Sequence, residues 1–320
     1  MKKVVITGIS GQDGIFLTNT IIKNQKDYMI FGISRNKNND EFYNKLKSLN
    51  TNDFSRIKID NADLFNKDNV LDYLEHISPN YIYNLAGPSS VYKSFQNPEA
   101  VSLQINGIFD NLSNYLIKAK NSPNFFQASS SEMFGDNGKD YQDESGIFIP
   151  NSPYAISKLE VHNKINDLRK KYNLKIISGI MFNHESELRS DEYLVMKIIK
   201  YAKNIASQKR KLTIGSLDYV RDWSFAGDIA NCIYSLNENN INEDFVIGSG
   251  QGNKISDILD LVFSEVNKDW KDFVEIDESL LRKGDPKIVI SKPTKLISFL
   301  DWKPKLNFES LILRCFNLSN

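Results

Sequence analysis

Three features of the sequence predict an α/β fold built on a doubly wound parallel sheet. Short runs rich in Val, Ile, Phe and Tyr alternate with longer amphipathic stretches through the first half of the chain. A glycine-rich turn joins the first such run to the first amphipathic stretch. The pattern then changes character after about residue 182. Alternation of this kind implies parallel strands joined by right-handed helical crossovers, the Rossmann-type arrangement. The later change implies a smaller, mostly C-terminal α/β lobe that binds substrate.

The strand candidates, in order, are Lys3–Thr7, Tyr28–Ser34, Ile57–Asp60, Tyr81–Ala86, Asn124–Ser129 and Lys175–Phe182. Most are short apolar runs of β-branched and aromatic residues. Gly14–Asn24, Lys67–His76 and Val101–Lys120 carry helical patterning between them. Beyond residue 182, NHESELRSDEYLVMKIIKYAKNIASQ reads as a polar loop leading into a helix. DFVIGSG reads as a strand, ISDILDLVFSEV as a helix and WKPKLNFESLILRCF as a closing helix. The expected division assigns residues 1–182 plus about 213–249 to a dinucleotide-binding domain, and about 183–212 plus 250–320 to the substrate lobe.

Composition narrows the function. The chain has 320 residues, enough for one large domain or two closely associated ones. Lys+Arg and Asp+Glu number 40 each, so no overall charge drives it toward nucleic acid or an anionic membrane. Cys232 and Cys315 lack metal-type spacing and read as reduced thiols of a cytoplasmic protein. His76, His162 and His184 form no H-x-x-x-H pair, so no metal is expected. The opening MKKVVITGISGQDG has too short an apolar run for a signal peptide, and no segment reaches a membrane-spanning length.

VVITGISGQDGIFLTNTII reads as strand, tight loop and helix, with Gly8, Gly11 and Gly14 spaced G-x-x-G-x-x-G. Glycine permits the tight turn and close backbone approach to a pyrophosphate, and the helix N-terminus offers free N–H groups. Gln12 and Asp13 lie inside this cofactor-binding turn. The spacing resembles that of the short-chain dehydrogenase/reductase superfamily, whose extended branch works on nucleotide sugars. After the second strand, FGISRNKNN places Arg35 where an acid would bind the ribose 2′-hydroxyl of NAD. A guanidinium suits a 2′-phosphate, which favours NADP, with NAD as the alternative. Asp63 and Leu64 are placed to cradle the adenine. YNLAGPSS, with Leu85 and Ala86, would line the dinucleotide groove, and its Ser89 is a substrate-binding candidate.

SPYAISK puts Tyr154 and Lys158 four residues apart, on one helical face. A nearby ammonium stabilises a phenolate, so Lys158 is expected to lower the Tyr154 pKa and also to hold the nicotinamide ribose. Tyr154 then takes a proton from a sugar hydroxyl as hydride passes to the nicotinamide. FQASSSEMFG supplies Ser130, a hydroxyl for the same substrate oxygen, and Glu132 two residues on. Oxidation alone needs no such acid. Once C4 is a ketone the C5 proton is acidic; Glu132 can remove it while water leaves from C6.

With these residues in view, the chain resembles the GDP-mannose 4,6-dehydratase family nearly end to end. The matching stretches are ITGISGQDG, IYNLAG, SFQNPE, FFQASSSEMFG, SPYAISK, FNHES, YVRDW, DFVIGSG and the late WKPK. The resemblance puts Ser130, Glu132, Tyr154 and Lys158 in the catalytic positions. It places Asn183 on the sugar nucleotide, and His184 and Glu185 beside cofactor and substrate. Arg221 falls on the diphosphate, and Arg282 and Asp285 at the spacing of a late arginine and acid that grip the nucleotide sugar. It further implies a homodimer or homotetramer.

The chain departs from the family pattern at four places. Pro88 and Ser90 replace a glutamine and a histidine, and Asn36 replaces a second arginine. Glu187-Leu188-Arg189-Ser190 stands for Pro-Arg-Arg-Gly, and Val195-Met196-Lys197 for Thr-Arg-Lys, keeping Lys197 as a substrate-binding candidate. These changes surround the sugar and nucleotide, so GDP-mannose, a GDP-linked heptose and other GDP-hexoses all stay open as substrates. An epimerase or C4-dehydrogenase on the same fold is the alternative function, and Glu132 is the residue that discriminates. Nucleotide binding without catalysis is a third reading, opposed by the intact Ser130, Tyr154 and Lys158.

Overall fold

The computed structural model describes residues 1–36, 38–281 and 284–319. Strands β1 (Lys2–Thr7), β2 (Tyr28–Ile33), β3 (Ile57–Asp60), β4 (Tyr81–Asn84) and β5 (Asn124–Ser130) alternate with helices. These are α1 (Gln12–Asn24), α2 (Asp40–Ser48), α3 (Lys67–Ile77), α4 (Val91–Gln96) and α5 (Pro98–Lys118). Next come β6 (Tyr141–Gln142), α6 (Pro153–Tyr172), β7 (Ile176–Met181), β8 (Asn183–Glu185), α7 (Leu194–Lys203) and β9 (Leu212–Ile214). Then β10 (Val220–Phe225), α8 (Ala226–Asn237), β11 (Asp244–Ile247), β12 (Gly252–Lys254) and α9 (Ile255–Ser264) follow. The chain closes with β13 (Val274–Ile276), β14 (Ile288–Ser291), α10 (Thr294–Leu300) and α11 (Phe308–Leu318).

Seven strands form one parallel sheet in the order β11-β7-β5-β4-β1-β2-β3. Every residue of β5 and β7 is buried, because helices cover both faces. On one face α1 and α8 pack through Ile15, Leu17, Ile21, Ile229 and Ile233. On the other, α3, α5 and α6 supply Leu74, Phe109, Leu112 and Ile165. The chain runs outward from β1 in one direction and from β4 in the other. Ligands bind at such a switch point, beyond the carboxyl ends of the strands.

A second sheet runs β12-β10-β14-β6, with β8 also paired to β10, and β9 pairs β13 separately. Helices α7, α9 and α11 enclose the third core around Ile199, Ile214, Leu259 and Ile312. Of residues 213–249, β10 belongs to the second sheet, while α8 and β11 join the central layers. β8 follows directly on β7, so the second sheet is tied to the central sheet by continuous backbone.

The closing helix is shorter than its sequence pattern. It starts at Phe308, with Asn307 capping it by accepting from the Ser310 amide at 2.8 Å. The WKPKL stretch lies outside it. There the Lys305 and Leu306 amides donate to Asp228 Oδ2 at 2.8 and 3.2 Å, docking the segment on the first turn of α8. Pro304, which has no N–H and fixes its φ, fits such an extended lead-in.

Candidate active site

The glycine turn is built for backbone approach. Gly8 has φ +68°, and a Cβ there would lie 3.0 Å from the Ala86 backbone. A Cβ on Gly14 would lie 2.5 Å from the Ile9 carbonyl oxygen and 2.6 Å from that of Gly8. The first-turn amides of α1 have no intrahelical acceptors, so they present donors and the positive dipole end to the crevice. Gly8, Gly11, Gln12, Asp13, Gly14, Arg35, Asp63, Leu64, Leu85, Ala86 and Ser89 all line one cavity of about 510 Å³. Arg35 is exposed at its rim. The donor set, the glycine cradle and this lining fit a dinucleotide.

A second cavity of about 550 Å³ opens from the same crevice, sharing Asp13, Leu85, Ala86, Gly87, Ser89 and Arg189 with the first. Ser130, Glu132, Tyr154, Lys158, Asn183, His184, Glu185, Lys197, Arg221 and Asp285 line it. β5 ends at Ser130, and the chain turns at once into a short 3-10 helix, Ser131–Phe134. The Ser130 hydroxyl caps this turn, accepting from the Glu132 amide at 3.2 Å. Met133 and Phe134 anchor it in a small core with Phe182 and Val246. Glu132 is therefore held half-buried at the strand mouth, facing the cavity.

α6 begins with Ser152 accepting from the Ala155 amide at 3.1 Å and Pro153 in its first turn, so Tyr154 enters in the first turn as well. Tyr154 and Lys158 are both buried, with the ammonium 5.5 Å from the tyrosine ring centroid. The expected lowering of the Tyr154 pKa is not what the structure gives. Burial pushes the phenol well up, and the charges of Glu132 and Tyr193 add to that, against hydrogen bonding from Ser130 and the charge of Arg189. Lys158 donates instead to the Ala128 carbonyl at 2.9 Å, and burial lowers its own pKa to about 8.

β8 brings the segment after Phe182 against the dinucleotide turn. His184 Nε2 lies 3.0 Å from Asp13 Oδ1, and the Gln12 amide donates to the His184 carbonyl at 3.2 Å. The Ser186 hydroxyl donates to Gln12 Oε1 at 2.7 Å. Burial favours neutrality of both His184 and Asp13, but their mutual attraction wins. His184 is raised and Asp13 is lowered to about 2. The imidazolium contribution is full below 6.5, the ordinary histidine value, and is lost as pH rises through the raised folded value. The carboxylate contribution is full above 3.8 and is lost as pH falls through about 2. His184→Gln is expected to cost about 1–2 kcal/mol near pH 6, with the gap closing on either side. Urea titrations of both proteins across pH check this; a gap that ignores pH would remove the ion pair from the account.

In the second cavity, Arg221 Nη2 lies 3.0 Å from Asp285 Oδ1, both side chains largely buried at the wall. Lys197 Nζ reaches the Thr213 carbonyl at 3.3 Å. Ser89 shares a 2.6 Å hydrogen bond with the Tyr193 hydroxyl, joining the β4–α4 loop to the 190s loop. Arg282 lies outside the described residues.

Sequence reasoning passed over Arg189, seeing it only as a departure from the family pattern. It lines both cavities, stacks over Tyr193 with 3.6 Å from guanidinium carbon to ring centroid, and stands 3.8 Å from Glu185. Burial raises the Glu185 pKa. The signal that could have found it is local: position for position, Arg189 keeps the second arginine of Pro-Arg-Arg-Gly while its neighbours change.

Comparison with known proteins gives the family. The profile of the family described as GDP-mannose 4,6 dehydratase matches residues 5–315. GDP-mannose 4,6 dehydratase 2 of Arabidopsis thaliana is 31% identical over 322 residues, covering 97% of this chain and 85% of its own. Among solved structures, UDP-glucuronic acid 4-epimerase from Bacillus cereus, in complex with UDP-glucuronic acid and NAD, superposes with TM-score 0.86 at 21% identity, covering 99% of this chain and 98% of its own. RMD from Pseudomonas aeruginosa, complexed with NADPH, gives TM-score 0.80 at 18% identity, covering 99% and 98%. With the profile spanning almost all of the sequence and the relative matched over nearly its whole length, the chain belongs to the GDP-mannose 4,6-dehydratase family.

Proposed function

We propose that the protein is a GDP-sugar 4,6-dehydratase that converts GDP-mannose, or a close relative such as GDP-manno-heptose, to the GDP-4-keto-6-deoxy sugar. The observation that carries this reading is Glu132, held at the mouth of β5 in one cavity with Ser130, Tyr154 and Lys158. A bound nicotinamide dinucleotide would supply the hydride acceptor for C4 oxidation and the donor for C6 reduction. Tyr154 accepts the C4 hydroxyl proton while Ser130 bonds the same oxygen. Lys158 supplies positive charge to the tyrosine ring. Glu132 removes the C5 proton and delivers it to the departing C6 hydroxyl, which leaves as water. The proton taken by Tyr154 is matched by one delivered to C5, so the net change is loss of one water. Arg221 and Lys197 are the cations suited to the diphosphate and nucleotide, with Asn183, Ser89 and Asp285 around the sugar.

NADP is the proposed cofactor on the strength of Arg35 at the cavity rim. A homodimer or homotetramer working in the cytoplasm is proposed from the family resemblance. No helix among the described residues is long and apolar enough to cross a membrane. The test is mass spectrometry of the purified protein with NADP or NAD and a panel of GDP-mannose, GDP-manno-heptose, GDP-N-acetylglucosamine, UDP-glucose and dTDP-glucose. Loss of one water from a GDP-sugar, faster with NADP, is expected. An isomer of unchanged mass, or a product two hydrogens lighter with reduced cofactor, would replace this reading with the epimerase or dehydrogenase. Equal turnover with NAD would remove Arg35 from the cofactor argument.

A further inference from the structure

The segment from Asn183 to Arg189 carries much of the crevice, yet only part of it is regular structure. From inside, Gln12 and Asp13 hold it at His184 and Ser186. Ser186 also accepts from the Leu188 amide through its hydroxyl (3.1 Å) and from the Arg189 amide through its carbonyl (3.1 Å), closing a tight turn. From outside, a residue 127 positions away grips the turn. Arg314 of α11 donates from Nε to Glu187 Oε2 at 3.0 Å and from Nη2 to Glu187 Oε1 at 2.5 Å. The Glu187 side chain is only 7% exposed. Arg314 lies over the Phe225 ring, 4.8 Å from its centroid, and Phe225 meets Phe16 of α1 edge-on at 5.3 Å. The outer clamp is thereby braced on the helix that begins at the dinucleotide turn.

We propose that the Glu187–Arg314 pair is a positioning device for the dinucleotide site, fixing the turn from which Arg189 and His184 reach the crevice. A two-point guanidinium–carboxylate bond sets direction as well as distance, which a single ammonium does not. Glu187 stands where the family pattern has proline, which restricts backbone directly; here a side-chain clamp does that work. Arg189 needs such help. Its Nε and Glu185 Oε2 are buried and 3.8 Å apart, an ion pair too long for a hydrogen bond, so its placement rests on that loose pair, on stacking over Tyr193 and on the backbone of the turn. Neither Glu187 nor Arg314 lines the 550 Å³ or 510 Å³ cavity; Glu187 borders only a neighbouring cleft against Ser10, Gly11 and Gln12.

The inference concerns dinucleotide binding and is tested without any sugar, so it fails or stands apart from the proposed reaction. Arg314→Met strands a buried carboxylate; it is expected to lower Tm and to weaken NADPH and NADH binding, read by fluorescence titration, by about tenfold or more. In Glu187→Leu/Arg314→Met the buried pair is replaced by apolar side chains, a change that typically restores stability. The expected result is recovered Tm with dinucleotide affinity still about tenfold low and amide exchange at residues 184–189 still fast. Arg314→Lys keeps the charge without the fork and is expected to fall between wild type and the double variant. Recovery of affinity and amide protection together with Tm in the double variant would make the pair a stability contact only and overturn the proposal. Wild-type affinity in Arg314→Met would do the same. If Arg314→Met does not fold, Arg314→Lys and the double variant decide alone.

Discussion

Glu132→Gln lowers dehydration by about 10²–10⁴-fold, while Tm and dinucleotide affinity stay close to wild type. This is the largest effect expected on activity. The amide keeps the shape of the acid but cannot accept the C5 proton. Ser130, Tyr154 and Lys158 remain in the cavity, and in the proposed mechanism they carry C4 oxidation. The variant should therefore still draw hydride from the sugar, and reduced dinucleotide should build up toward one equivalent per site. Stopped-flow absorbance and mass spectrometry on the same mixture separate the two steps. Turnover at the wild-type rate would take Glu132 out of the chemistry. Loss of both steps would place it in binding.

Asp222→Ala is expected to cost about 3–5 kcal/mol of folding stability, the largest stability effect. Asp222 is 1% exposed on β10. Its Oδ1 accepts from the Ser249 amide at 2.9 Å and hydroxyl at 2.5 Å. Its Oδ2 accepts from the Gly250 amide at 2.9 Å and from the Ser291 amide and hydroxyl at 3.2 and 2.5 Å. One carboxylate thus gathers the ends of β11 and β14 around β10. Gly248 leaves the room for this, since a Cβ there would lie 2.9 Å from Asp222 Oδ2. Truncation leaves the Ser249 and Ser291 amides without their acceptor, while the Gly250 amide keeps the Ser291 hydroxyl at 3.0 Å. Arg221, next along β10, should shift with them, so nucleotide-sugar affinity falls too. Urea denaturation reads the first effect and titration with GDP the second. A loss under about 1 kcal/mol would mean that water or repacking replaces the carboxylate readily.

The legible part of the site was local in sequence. Ser130 and Glu132 lie on one turn that a strand end and a serine cap define between them. Tyr154 and Lys158 share a helix whose Ser-Pro start is itself a sequence signal. The glycine turn is recognisable because only glycine leaves Gly8 and Gly14 enough room against neighbouring backbone. The closing helix was overextended because WKPKL carries apolar residues at plausible intervals, while its two amide donors go to Asp228, 77 and 78 residues away.

By itself, then, the sequence determined the order of the seven strands of the central sheet, the glycine turn and the four side chains gathered at the crevice, because each is marked by a local run or a short spacing. Tertiary structure alone decided the rest. It placed Arg189 between two cavities, paired Glu187 with Arg314, made Asp222 a junction and, by burial, raised the Tyr154 pKa and lowered that of Lys158. Such features depend on partners brought together by chain reversal across the sheet and on loss of water around charged groups. Neither is encoded in any short window of residues.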